Sequence, residues 1–185
     1  PPIWFDAEQA KAALPEVAAA ISKMKEPRPA ATRIYYGSLA IAAGDMAAAD
    51  RALHGLASSD ERIAQLQLIL SAQREITAGS PGESTERLAA TDDLAPPNRP
   101  LATYWLGMAK VAGDDVQQQR EGVLDLLHLP AVYGEQSPAL AAAGLYQGMR
   151  TLEALGDLRG SIALRSELLS KYGQTYHAEQ LTKTE

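Results

Sequence analysis

Apolar residues in the first part of the chain recur at helical spacing, with steps of four, three, four and three residues. They are Ala10, Leu14, Val17, Ile21 and Met24. Such steps place the side chains on one face of an α-helix. Asp6, with Gln9 three residues further on, is typical of a capping box at the start of a helix. The pattern predicts an N-terminal helix over 6–25, which Pro15 is expected to kink or split.

Three Gly-Asp pairs each separate one apolar-periodic run from the next. They are Gly44-Asp45, Gly113-Asp114 and Gly156-Asp157. Glycine in the left-handed conformation closes a helix, and an aspartate beside it caps the following helix. With Gly79, which ends the run 63–78, the turn glycines lie 35, 34 and 43 residues apart. We assign the excess of the last interval to a loop over 128–138, a stretch that contains two prolines and a glycine.

These turns predict four helical hairpins between the N-terminal helix and a closing helix. The expected helices are 31–43 with 46–57, 60–78 with 83–91, 100–112 with 115–128, 138–155 with 158–172, and the closing helix 175–183. Ser59 is the expected N-cap of the helix at 60. The segment 92–100 carries three prolines and separates the second and third hairpins. It is too short to be a domain boundary, so a single domain over 1–185 is expected.

Composition agrees with an all-α fold. Counting the sequence gives 34 Ala and 24 Leu against 8 Ile and 5 Val. Alanine and leucine lose little freedom in a helix, whereas β-branched residues favour strands. The proportions of hydrophobic and charged residues, 46% and 22%, are those of a globular protein.

Charge and cysteine content exclude several classes of function. The net charge of −6 disfavours nucleic-acid binding, which depends on clustered lysine and arginine. The longest uncharged run, 136–149, is shorter than the roughly 20 residues of a membrane-spanning helix. The absence of cysteine excludes disulfides, thiolate catalysis and cysteine-based zinc sites. Because the chain begins with Pro1 rather than methionine, we expect it to be a trimmed piece that lacks its native N-terminus.

A two-helix unit near 34 residues, with small residues inside and Gly-Asp at the turn, resembles the tetratricopeptide repeat. In the first unit, Gly37 lies seven residues before Gly44 and Ala49 lies five residues after it, where the family prefers small residues. The fourth unit ends in Lys171-Tyr172-Gly173, which is similar to bacterial cell-envelope members of the family. The resemblance covers residues 31–182.

The second and third units depart from the family pattern. Glu75 stands where a large apolar or aromatic residue is usual, and Gln118 stands at the expected alanine.

The resemblance implies a right-handed α-solenoid whose first helices line a concave groove that binds protein segments. Among the groove positions that carry over, the candidate binding residues are Tyr35, Ser38, Gln73, Tyr104, Lys110, Tyr146, Gln147 and Arg150. Tyrosine and arginine are common binding anchors. The alternative is that the tyrosines pack between hairpins and the charges are solvated. The Lys and Asn clamp of chaperone-binding members is absent, because its places hold Ile34, Ser38, Ile69, Gln73, Thr103 and Gly107.

Candidate catalytic and metal-binding residues are few. Asp50 and His54 are spaced to share a helical face, but no third ligand has a matching spacing. His128 is expected in a last helical turn, where the helix dipole favours a cation, and His177 has no visible partner. The pairs 92–93 and 114–115 are interpreted as caps rather than catalytic carboxylates.

The sequence also lacks two further classes of catalytic or binding motif. The glycine-rich stretch 79–83 lacks the lysine and the preceding strand of a phosphate loop, and no serine lies in a nucleophile elbow. We therefore predict no enzyme activity, no metal and no cofactor.

The two tryptophans receive different interpretations. Trp105 is expected in the core. Trp4, with Ile3 and Phe5, forms an apolar cluster that either covers the first hairpin or marks where a preceding repeat packs.

The sequence as a whole favours a non-enzymatic scaffold, in the periplasm or cell envelope, that binds a protein or peptide partner. Lys110 and Arg150 would steer an acidic segment into the groove. The alternative is a structural spacer or an oligomerisation segment of a larger protein.

Overall fold

The computed structural model describes residues 6–56 and 59–183, and within these ranges it is all-helical. The helices are α1 Ala7–Ser22, α2 Ala30–Ala43, α3 Met46–Leu53, α4 Glu61–Thr77, α5 Glu83–Ala89, α6 Arg99–Val111, α7 Val116–Tyr133, α8 Pro138–Ala154, α9 Leu158–Tyr172 and α10 Tyr176–Lys183. The all-α prediction is confirmed. The predicted cluster of Ile3, Trp4 and Phe5 lies outside the described residues.

The chain divides into two compact units, Pro1–Asn98 with α1 to α5 and Arg99–Glu185 with α6 to α10. The division falls inside the proline-rich segment 92–100. Within the first unit, Gln65 of α4 holds residues 93–98 of this segment in place. Its side-chain amide donates to the Asp93 carbonyl at 3.0 Å, and its side-chain oxygen accepts from the Ala95 amide at 2.8 Å. Asn98, only 3% exposed, also donates to that oxygen at 3.1 Å.

Two helices continue through a proline without a break. The loop expected over 128–138 is wrong, because α7 continues through Pro130 to Tyr133. Leu126 and Leu129 are both 0% exposed, so apolar packing holds the last turns of this helix in place. The extra residues of the 43-residue interval therefore lengthen a helix rather than a loop. Likewise α1 is not split but continues through Pro15.

The predicted left-handed glycine and capping aspartate are both present at the first and last Gly-Asp pairs. Gly44 has a φ of 83° and Gly156 a φ of 80°. Asp45 accepts from the Ala48 amide, and Asp157 accepts from the Gly160 amide, each at 2.9 Å. Gly79, which follows α4, is also left-handed, with a φ of 73°.

Three predicted details at helix ends are wrong, one at a C-terminus and two at N-termini. Gly113 does not adopt the left-handed conformation. The N-cap of α7 is Asp115 rather than Asp114, and the N-cap of α4 is Asp60 rather than Ser59. In both cases the capping carboxylate accepts from the amide two residues ahead, one position later than the repeat pattern places it.

Glu75, the residue that departs from the repeat pattern, caps a neighbouring helix. Its carboxylate accepts from the amides of Gly82, Ser84 and Thr85 at 3.0–3.1 Å and from the Thr85 hydroxyl at 3.0 Å. Burial raises the pKa of Glu75, but the hydrogen bonds from Ser84 and Thr85 outweigh it and hold the pKa at about 2. A carboxylate from α4 thus supplies the N-terminal cap of α5, whose own N-cap, Gly82, has no side chain.

In the second unit, glycines let the helices approach closely. A Cβ on Gly122 of α7 would lie 2.8 Å from the Gly107 carbonyl oxygen of α6. A Cβ on Gly144 of α8 would lie 2.6 Å from the Leu126 carbonyl oxygen of α7. Helix α8 also packs on α6 and on α10, so it is covered by four helices, α6, α7, α9 and α10.

Candidate functional site

Two of the predicted groove residues, Ser38 and Gln73, are fully buried in the first unit. Both are 0% exposed. The Ser38 hydroxyl donates to the Gln73 side-chain oxygen at 3.0 Å, and the Gln73 side-chain nitrogen donates to the Ser38 carbonyl at 3.2 Å. The face of α2 that carries Ser38 is therefore covered by α4, and this pair satisfies buried polar groups inside the fold.

Tyr104 is also a core residue. It is 0% exposed, and its ring lies edge-on to Trp105 with 5.1 Å between centroids. Trp105 is 5% exposed, which agrees with its predicted place in the core. Because a 0% exposed side chain offers no surface to a partner, Tyr104 is assigned a packing role, as are Ser38 and Gln73.

Tyr35 and Lys110 are only partly exposed. Tyr35 lies on α2 and is half-buried. The Lys110 ammonium nitrogen lies 2.8 Å from a carboxylate oxygen of Asp125, and both side chains keep somewhat more than a third of their exposure. Asp125 balances the charge of Lys110 locally, which weakens the predicted steering of an acidic segment by this lysine.

Three predicted residues lie together on the accessible side of α8: Tyr146, Gln147 and Arg150. The Arg150 guanidinium carbon lies 6.0 Å from the Tyr146 ring centroid, within the range of a cation–π contact. Tyr146 also packs against the core of the second unit, and the ring of His177 stacks on it with centroids 4.9 Å apart.

His177, expected to have no partner, is 2% exposed and also lies edge-on to Tyr176, with centroids 5.4 Å apart. The sequence could not indicate this contact, because Tyr146 and His177 belong to different helices. Their stacking ties α10 to α8.

A groove that the sequence did not predict lies between α8, α9 and α10. It encloses about 500 Å³ and is lined by Met149, Glu153, Leu158, Ser161, Ile162, Arg165 and Leu181. Leu158 is 61% exposed and Ile162 is 67% exposed, which is unusual for large apolar side chains. The spacing of Leu158, Ile162 and Arg165 on α9 indicates one helical face. That spacing is visible in the sequence, but it is equally typical of a buried stripe.

The groove adjoins the predicted residues of α8. Met149 and Glu153 follow Tyr146 and Arg150 at steps of three residues, so the four side chains form one stripe along the helix. Tyr146 and Arg150 thus lie beside the groove that Met149 and Glu153 help to form.

The described part of the chain contains no cluster of side chains suited to hold a metal ion. No group of three or more His, Asp or Glu residues lies close enough there to hold a metal ion. Asp50, considered with His54 as a pair, instead forms an ion pair with Arg74. His128 lies more than a turn before the end of α7, so the last-turn placement is wrong, and its ring contacts Tyr133 edge-on at 5.8 Å.

No helix in the described ranges has the length and apolar character needed to cross a membrane. Comparisons with protein-family models, with curated proteins and with solved structures found no match to this chain.

Proposed function

We propose that this chain is a non-enzymatic protein-interaction scaffold that binds an amphipathic helix of a partner in the groove between α8, α9 and α10. One observation carries the proposal. Leu158 and Ile162 are each more than 60% exposed beside the less exposed Met149 and Leu181, in a concave groove. Exposed apolar side chains in a groove rimmed by charge are typical of a helix-in-groove interface.

The proposed binding surface replaces part of the predicted one. Leu158 and Ile162 would supply apolar anchors, and Glu153 and Arg165 would supply a polar rim. Arg150 lies on the Tyr146 ring, beside the groove on α8. It would contact an acidic residue that flanks the apolar face of the partner helix. Ser38, Gln73 and Tyr104 take no part, because they are buried.

The tetratricopeptide-like α-solenoid remains our proposal for the architecture. It is supported by the packing of alternate helices, α2 on α4 in the first unit and α6 on α8 on α10 in the second. First helices of successive hairpins pack on each other in this way in stacked helical repeats. The left-handed glycines at the first and last predicted turns also support it.

The proposal is tested by affinity capture from a lysate of the native cells, followed by mass-spectrometric identification. We would compare the wild-type chain with Ile162→Glu and with Leu124→Glu. Leu124 is a matched control because it is an α7 residue that is also 67% exposed but does not line the groove. We expect a partner that binds the wild type and Leu124→Glu and is lost with Ile162→Glu, while both variants unfold in urea within about 0.5 kcal/mol of the wild type.

A partner retained equally by both variants would contradict the groove proposal. The same exposed side chains could instead be covered by a second copy of the chain, which is the oligomerisation alternative. Light scattering over a range of concentrations distinguishes the two, because self-association that Ile162→Glu abolishes would favour the alternative.

For the cellular location we keep the cell envelope as our proposal, supported by the ending at Lys171-Tyr172-Gly173 and tested by cell fractionation.

A further inference from the structure

A second pocket lies wholly within the first unit, where the connection between α1 and α2 meets the end of α3. It encloses about 230 Å³. Its polar lining consists of Glu26, Arg28, Thr32, Arg33, Tyr36 and Arg51. The volume is that of several water molecules and below that of a site for a whole cofactor. The pocket therefore suits one polar group of a ligand.

The charge of this lining is opposite to that of the chain. Three arginines and one glutamate leave two excess positive charges in the pocket, whereas the whole protein has a net charge of −6. Lys23 and Lys25, in the connection that leads to Glu26, add to the local positive charge. The pocket therefore attracts an anion more strongly than most of the protein surface does.

The three arginines are held in different ways. Glu26 fixes Arg28, because its carboxylate accepts from the Arg28 amide at 3.0 Å and lies 3.1 Å from the guanidinium. The Arg33 Nε donates to the Ala52 carbonyl at 2.8 Å, and a second nitrogen of its guanidinium donates to the His54 carbonyl. Arg33 is therefore fixed by the last carbonyl groups of α3.

The arginines of the pocket are only partly paired with other groups of the protein. The Nε–H of Arg28 is buried and has no hydrogen-bond acceptor among the described residues. Arg51 is exposed and forms no ion pair with any residue that the structure describes. The exposed guanidinium of Arg51 is therefore available to pair with an anion in the pocket.

We propose that this pocket binds a phosphate monoester, held by Arg28 and Arg51 beside the fixed guanidinium of Arg33. A phosphate monoester carries a charge near −2 at neutral pH, which matches the two excess positive charges, whereas a carboxylate carries only −1. Its three oxygens accept hydrogen bonds from several arginines at once. The first turn of α2, which has no side-chain cap, adds the positive end of a helix dipole at the position of Thr32 and Arg33.

The test is isothermal titration of the full chain at constant ionic strength. The probes are inorganic phosphate, a short peptide with one phosphoserine, the same peptide without phosphate, and acetate. We expect saturable binding of the phosphate probes, weakened about tenfold by Arg51→Gln and by Arg28→Gln. Arg51→Gln is the decisive variant because its side chain is exposed and contributes little to the fold, which urea unfolding checks.

Arg87→Gln is the matched control, since Arg87 is an exposed arginine of α5 in the same unit that does not line the pocket. We expect it to change the affinity less than about twofold. Ile162→Glu, in the other unit, should leave phosphate binding unchanged, so this proposal and the proposed function fail independently.

The arms of the titration also identify the source of the phosphate. Equal affinity for inorganic phosphate and the phosphopeptide would support a small phosphorylated ligand, whereas a clear preference for the phosphopeptide would support a phosphorylated protein. Acetate binding as tightly as phosphate, an equal loss with Arg87→Gln, or no saturation by about 10 mM phosphate would each overturn the proposal.

Discussion

At the scale of the residue, Glu75 of α4 supplies the N-terminal cap of the short helix α5. A tetratricopeptide-like unit would have an apolar residue at this place, but here the carboxylate caps α5 through amides of Gly82, Ser84 and Thr85. The seven-residue helix α5 has few turns with which to bury apolar surface, so its start depends on this contact. The charged residue at this place therefore has a structural reason.

This role makes the stability of the protein depend on pH in a defined window. The pKa of Glu75 is about 2 in the folded state against an ordinary value of 4.5. Because the folded pKa is lowered, the stabilisation is fully present above about pH 4.5 and is lost as the pH falls towards about 2. We expect Glu75→Gln to lower the free energy of unfolding at neutral pH by about 1–2 kcal/mol, after allowance for solvent screening.

Urea unfolding at pH 7, 4.5 and 2.5 tests this expectation, since the difference between wild type and Glu75→Gln should shrink across the window set by that pKa. Glu16→Gln is the control, because Glu16 is exposed on α1 and caps no helix. A difference that stays constant with pH would show that the cap depends on side-chain shape rather than on charge.

At the scale of the element, the second unit depends on close contacts between helix backbones. At Gly144 the Leu126 carbonyl oxygen occupies the place of a side chain, so α8 lies against α7 with no room for a methyl group. Closely packed interiors accommodate added volume only by moving backbone or side chains. The position of α8, which carries Tyr146 and Met149, is thereby set by a glycine.

We expect Gly144→Ala to destabilise the protein by about 1–3 kcal/mol, because α7 and α8 must separate to accept the new Cβ. Gly148→Ala is the matched control on the same helix. The nearest atom to a Cβ there is the flexible end of Leu164, at 3.3 Å. Since alanine is the better helix former by about 1 kcal/mol, Gly148→Ala should be neutral or stabilising in the same urea experiment. Equal effects at the two positions would contradict the proposed close contact.

At the scale of the whole molecule, each of the two units has its own buried core. In the second unit, Leu126, Leu129, Leu145 and Leu168 are all 0% exposed, and they belong to helices that pack on one another within that unit. A core built entirely from one part of the chain is the usual condition for independent folding.

We therefore expect the isolated fragment 99–185 to be helical by far-UV circular dichroism and to unfold cooperatively in urea. Fragment 116–185, which lacks α6 and with it Tyr104 and Gly107, is the comparison and should unfold at a lower urea concentration or without a sharp transition. A gradual transition for 99–185 would show that its core requires the first unit.

The sequence predicted the helices better than it predicted which side chains are exposed. Helix ends are set by local features such as the cap at Asp45 or the turn at Gly156, which are visible within a few residues. Whether Ser38 or Tyr104 faces solvent depends on which distant helix covers it, and no local pattern contains that information. The exposed Leu158 and Ile162 were missed for the same reason, because their spacing on α9 is also that of a buried stripe.

The left-handed turns at Gly44 and Gly156 have a consequence for how this sequence can change. With φ angles of 83° and 80°, these two positions adopt the conformation of a residue of opposite chirality. Glycine is the one achiral amino acid among the twenty, so it alone takes this conformation without strain, and asparagine is the nearest substitute. Substitutions can therefore accumulate on the exposed faces of the flanking helices. At the two turns, almost every change of amino acid lowers the free energy of unfolding by about 1 kcal/mol.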